Sequence, residues 1–184
     1  VTTSELATIA KLSEPALALL RDDLGPSKYI ALLSENKLYK DAVKFYAHGM
    51  PPKVAINWGL MCSKELGDPA TEEKRKPSVT AVENWLKTPE DATRWEAKKV
   101  ADKSGMETSA DCMAMAVFFS GGSITPPEKN APEVQPAPYM SNKFVAGGIE
   151  IAVVSFEPAK KEERFQKALD LGRAQLQGGS APAS

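Results

Sequence analysis

The chain has 184 residues, 42% hydrophobic and 26% charged, a balance that suits one folded domain and argues against a disordered chain. Its 23 basic and 24 acidic residues leave a net charge of −1, so it lacks the basic excess with which a duplex-binding protein neutralises phosphates. The single histidine, His48, and two isolated cysteines, Cys62 and Cys112, supply too few ligands for a Cys/His zinc site.

Helix punctuation recurs from the first residues onward. Residues 4–12 and 14–20 read as two short helices, with Pro15 in the first turn of the second, where its missing N–H costs nothing. Gly25-Pro26 breaks the chain. A helix over 27–36 follows, with Tyr29, Ile30 and Leu33 on one face. Residues 38–48 form the next, which Gly49 is expected to close as a left-handed cap. Pro51-Pro52 starts a helix that ends at Gly67, with Val54, Trp58, Met61, Cys62 and Leu66 along one face.

Residues 71–87 predict a further helix, with Pro77 as a potential bend and Val79, Val82 and Leu86 as its stripe. Thr88-Pro89-Glu90-Asp91 combines a capping hydroxyl, a proline and first-turn acids, and predicts a helix that runs to Ser104 and stops at Gly105. Thr108 or Ser109 caps an apolar segment through Phe119. Its Cys112, Met113, Met115, Ala116 and Val117 leave little polar face, which marks it as the central buried helix.

Residues 125–138 hold five prolines and read as an extended, polyproline-like crossover, poor in hydrogen bonds of its own. Ser141 is expected to cap a helix over 142–156, weakened by Gly147-Gly148, with a strand over 149–154 as the alternative. Glu157-Pro158 opens a last amphipathic helix to 177, with Phe165, Ala168, Leu169, Gly172 and Leu176 on its inner face. Residues 178–184 read as a disordered tail. The expected architecture is all-α: a compact single-domain bundle of eight or nine helices over 1–177, with the proline-rich connector at 125–140. No stretch reaches the ~18 apolar residues of a membrane span. The opening VTTSELATIA lacks the basic start and apolar run of a secretory signal, so the expected location is the cytoplasm.

The chemistry of the side chains points away from catalysis. His48 has no nucleophile and orienting acid beside it in sequence. Ser120-Gly121-Gly122-Ser123 is the most enzyme-like string, yet it follows a helix C-terminus, where the dipole disfavours anions, and reads as a helix stop. The carboxylate pairs Asp22-Asp23, Glu72-Glu73, Glu90-Asp91 and Glu162-Glu163 lie beside bases or at helix starts and read as solvated faces. Cys62 and Cys112 read as buried thiols, with a disulfide between them as the alternative. The three tryptophans read as core anchors, with an exposed contact as the alternative, for which Trp95, beside Arg94, Glu96 and Lys98-Lys99, is the best candidate. Pro136, Pro138, Tyr139 and Met140 either pin the connector to the bundle or offer a second contact surface, where prolines lower the entropy cost of binding.

The stretch 51–154 carries a further pattern: Trp85-Leu86, the Pro89-initiated alanine-rich helix, Phe118-Phe119 before Ser120–Ser123, and Pro126-Pro127. This resembles an uncharacterised bacterial helical family associated with type VI secretion gene clusters. The resemblance covers a little over half the chain and carries no catalytic residues across. It implies a bacterial cytoplasmic protein working near effectors, spike proteins or their adaptors. The expected function is a non-enzymatic adaptor or chaperone that binds a secretion effector or spike component, with no cofactor, no metal, no nucleic acid and no membrane partner. The alternative is an immunity protein that neutralises a cognate toxin. The expected contact residues are Trp95, Phe119, Pro136, Pro138, Tyr139 and Met140.

Overall fold

A computed structural model of the chain describes residues 1–178; the tail expected from 178 onward lies, past Gly178, outside the described residues. The described residues form ten α-helices, nine of them seven residues or longer, and no strand. The first five are α1 (Thr3–Ile9), α2 (Glu14–Leu17), α3 (Pro26–Glu35), α4 (Tyr39–Gly49) and α5 (Pro52–Leu66). The rest are α6 (Glu72–Lys87), α7 (Asp91–Ser104), α8 (Ser109–Phe118), α9 (Met140–Val154) and α10 (Lys161–Gly178). Short 3-10 turns at Pro69–Thr71, Pro127–Lys129 and Pro158–Lys160 lead into or between them.

Most helix starts follow the local chemistry. Thr2 and Glu5 form a reciprocal capping box, as do Thr108 and Asp111. Ser13 caps α2, and its own N–H and hydroxyl both donate to the buried carboxylate of Asp41, at 2.8 Å each. Gly105 takes the left-handed conformation that ends α7.

Several boundaries differ from expectation, each for a physical reason. Gly49 is not a left-handed cap: it is the last helical residue of α4, and the chain leaves through extended Met50 because Pro51 disfavours a helical predecessor. Thr88 ends α6 instead of starting α7, since its N–H still bonds the Asn84 carbonyl; Glu90 and Thr93 cap α7. Ser141 does not cap α9. It lies inside the first turn, and its hydroxyl donates across to the Ala116 carbonyl of α8 at 2.8 Å. Leu176 is exposed instead of inward-facing; in that turn it is Gln175 that meets α5, through Asn57 and Met61. The stretch 149–154 is helical, with Ile149, Ala152 and Val153 buried at helical spacing.

One contiguous apolar cluster runs through the bundle from Ala7 to Leu169. Its centre is α8, which packs against α5, α6, α7 and α9. The approach of α5 and α9 to α8 is set by two glycines around one side chain. A Cβ on Gly59 would collide with Met113 Sδ, and one on Gly148 with Met113 Cε. Glycine at both positions lets a methionine fill the space between three helices. Trp58 is fully buried, and its indole N–H donates to the Ala168 carbonyl at 2.7 Å, tying α5 to α10.

Three arginines are also buried: Arg75, Arg94 and Arg164. Each guanidinium serves carbonyls at helix C-termini, where the dipole is negative and last-turn carbonyls are short of intrahelical donors. Arg75 donates to Ser63 O of α5, and also to Asp68 O and Thr71 Oγ1. Arg94 donates to Phe118 O at the end of α8 (2.9 Å) and to Ser123 O (2.7 Å). Arg164 donates to Val153 O (2.9 Å) and Ala152 O (3.2 Å) of α9, and to Leu66 O of α5.

Two outcomes follow from this packing. Arg164→Met strips donors from three buried carbonyls, so urea unfolding should show a loss of about 2–4 kcal/mol. Arg21→Met at an exposed site should change stability by less than about 0.5 kcal/mol. Burial pushes the Cys112 thiol up to about 11 and the Cys62 thiol higher still. Both therefore stay protonated at neutral pH, and only the thiolate reacts. Ellman's reagent should find neither thiol readily in the native protein and both after denaturation.

Candidate protein-binding surface

The structure joins two of the expected contact residues, Trp95 and Phe119, into one aromatic run. The Trp95 ring meets Phe118 edge to face at 4.9 Å between centroids. Phe118 meets Phe119 in the same way at 5.0 Å, and Phe119 stacks on Phe144 at 5.4 Å. Phe118 is buried, whereas Trp95, Phe119 and Phe144 are each half-buried. The Arg94 guanidinium lies 5.3 Å from the Trp95 ring centre and 5.1 Å from that of Phe118, and Lys98 Nζ lies 5.6 Å from Phe118.

Local sequence explains the placement. The Glu90–Thr93 cap puts Arg94 and Trp95 in the opening turns of α7. Phe118 ends α8, and Phe119 occupies its C-cap. Gly122 then adopts φ +70, turning the chain back under the Arg94 guanidinium. A side chain there would be strained by the backbone angle, and its Cβ would press on Arg94 at 3.0 Å. Arg94 also pairs with Asp91, with Nη2 at 2.6 Å from Oδ1, which fixes the guanidinium plane.

The crossover is not the extended, unbonded segment that its prolines suggest. It is a loop pinched at the neck. The Ile124 N–H donates to Val134 O at 2.8 Å, and the Thr125 hydroxyl donates to Pro132 O at 3.0 Å. The Ser123 hydroxyl oxygen accepts from the Thr125 and Val134 N–H groups, both at 3.1 Å. Pro136 is half-buried and Pro138 exposed, in the stretch that leads into α9. Tyr139 precedes α9 with φ +60, and its ring stacks on His48 at 5.8 Å, away from the Trp95 run. Met140 is half-buried, one turn before Phe144 on α9.

Arg94, Phe118 and Phe144 complete this surface and lie outside the contact residues expected from the sequence. The legible signal for Arg94 is its helical register with Ala97 and Ala101, both fully buried. The other chemical candidates resolve into structural roles. Ser120 Oγ donates to Val117 O at 2.7 Å, and Ser123 holds the loop neck. All four carboxylate pairs are exposed. Among the described residues, no group of three or more His, Cys, Asp or Glu side chains is placed to hold a metal ion. Nor is any described helix long and apolar enough to cross a membrane.

His48 is buried, with a relative exposure of 6%. Its Nδ1–H donates to Lys44 O at 2.7 Å. Burial, with Lys143 and Lys44 adding to it, holds the ring below its ordinary value of 6.5. The folded chain thus keeps His48 neutral where the unfolded chain begins to protonate. Stability is full above pH 6.5 and falls as pH drops toward the lower native value. His48→Gln should flatten that part of the profile, as read from urea midpoints between roughly pH 7 and 5.

The model of a Family of unknown function (DUF6931) matches residues 29–176, so the chain belongs to that family. Nothing matches the chain among curated proteins or solved structures.

Proposed function

We propose that this family member acts by binding and not by catalysis, as an adaptor or chaperone for a type VI secretion effector or spike component in the bacterial cytoplasm. The observation that carries the reading is the Trp95–Phe118–Phe119–Phe144 run, backed by the buried Arg94. Tryptophan and arginine supply much of the energy at protein interfaces, because both bring large area at fixed geometry. Here the geometry is set before any partner arrives: Arg94 is held by Asp91, Phe118 O and Ser123 O. A pre-ordered surface loses less entropy on binding. Met140, one turn before Phe144 on α9, extends the contact area, and Pro136 and Pro138 lie in the stretch that leads into that helix. The secretion context rests on the sequence pattern from Trp85-Leu86 to Pro126-Pro127.

Capture from the native host tests the reading. The wild-type chain should recover an effector or spike component, and Trp95→Ala should weaken that complex about tenfold or more. Trp58 and Trp85 are buried, so the tryptophan emission that shifts on binding should be that of Trp95. Recovery of no secretion component would overturn the reading. Deleting the gene should silence delivery. Poisoning of the cell only when a neighbouring toxin gene is intact would instead identify an immunity protein.

A further inference from the structure

On another face of the bundle, a cavity of about 260 Å³ opens between the end of α1, α4 and α9. Val43 and Ala146 are buried among its lining side chains and give it an apolar floor. Lysines surround that floor. Lys40 is paired with Glu150, with Nζ at 2.5 Å from Oε1. Lys11, Lys44 and Lys143 form no salt bridge among the described residues. Three uncompensated cations around one small cavity stand out in a chain whose net charge is −1.

Two further features belong to the same cavity. His48 lines it, and its Nε2 is buried without a hydrogen-bond partner among the described residues. Because Nδ1 donates to Lys44 O, the neutral ring carries its lone pair on Nε2. Adding a proton there would place a cation beside Lys44 and Lys143, in a cavity also lined by Lys11 from the turn after α1 and by the Lys40–Glu150 pair, with Tyr139 stacked on the ring. An anion in the cavity would relieve that conflict.

The second feature is Gly147, in the middle of α9 and on the cavity wall. Its neighbour Gly148 is required by packing, since a Cβ there would meet Met113 and Cys112. A Cβ on Gly147 would meet nothing within 4 Å. A mid-helix glycine weakens a helix relative to alanine. At position 147 the core does not demand it, and what it preserves is open space.

We propose that this cavity binds a small phosphate monoester, with the phosphoryl group among Lys11, Lys44 and Lys143 and the organic part on the floor formed by Val43 and Ala146. A phosphoryl group carries about −1.5 to −2 charges and three acceptor oxygens, which suits three free ammonium groups better than a single carboxylate does. The cavity lies below the usual ~300–1,000 Å³ of drug-sized sites, which limits the ligand to a small molecule.

The test uses the full chain with phenyl phosphate as the probe, followed by calorimetry and by the ring resonances of His48, the only histidine. Phenyl phosphate should bind saturably with a Kd below about 1 mM, at least about tenfold tighter than inorganic phosphate or phenol. The His48 titration should move to higher pH when the ester is bound. Lys143→Met, at an exposed position, should weaken binding about tenfold. Gly147→Leu should abolish it while leaving the helical circular dichroism and melting temperature unreduced. Saturation unaffected by both variants, or no saturable His48 response, would overturn the proposal. Flotation with phosphatidate vesicles in place of binding to the soluble ester would overturn it too.

Discussion

Helices packed at many angles leave carbonyl ends in the interior, and an unpaired buried carbonyl is costly. In this bundle α5, α8 and α9 all end against other helices. The guanidiniums of Arg75, Arg94 and Arg164 reach all three ends. Arg164 joins two ends at once, those of α5 and α9, from the first turn of α10. A guanidinium is suited to this because it is planar, always charged and carries five N–H donors. A lysine would bring a single donor centre, and a glycine cap would satisfy only its own helix.

The same device shapes the aromatic surface. Arg94 bonds the last carbonyl of α8 and the loop carbonyl of Ser123, so the chain must turn tightly between them. Gly122 accommodates the turn by its positive φ and by leaving room for the guanidinium. The turn presents Phe119 beside Phe144, and the guanidinium face supports Trp95 and Phe118. The stop that ends α8 and the surface proposed for binding are therefore one construction. Within the Ser120–Ser123 string, both hydroxyls are engaged by backbone groups.

Helix α9 contributes to both proposed binding regions. Phe144 belongs to the aromatic run, while Lys143 and Gly147 border the cavity beside His48. The adjacent glycines of this helix have opposite reasons to exist. Gly148 makes room for Met113 and so for α8; Gly147 leaves space that no protein atom fills. In sequence the pair only weakens the case for a helix, because propensity treats both alike.

What the sequence determines by itself is local. Thr2, Ser13, Thr108 and Gly105 punctuate helices through bonds within a few residues, and each behaves as its chemistry dictates. The apolar run of α8 is likewise sufficient to mark the buried centre. Tertiary structure decides wherever a group has a partner far along the chain. Ser141 gives up capping to bond Ala116, and Ser123 closes a loop that its prolines would leave extended. Three arginines are held inside by carbonyls up to 98 residues away. Trp95 and Phe119 lie apart in sequence and meet only through Phe118, and His48 shares its cavity with lysines of α4, α9 and the turn after α1. Hydrogen bonds and charge pairs across such distances form no periodic pattern, so they become visible only once the helices are packed.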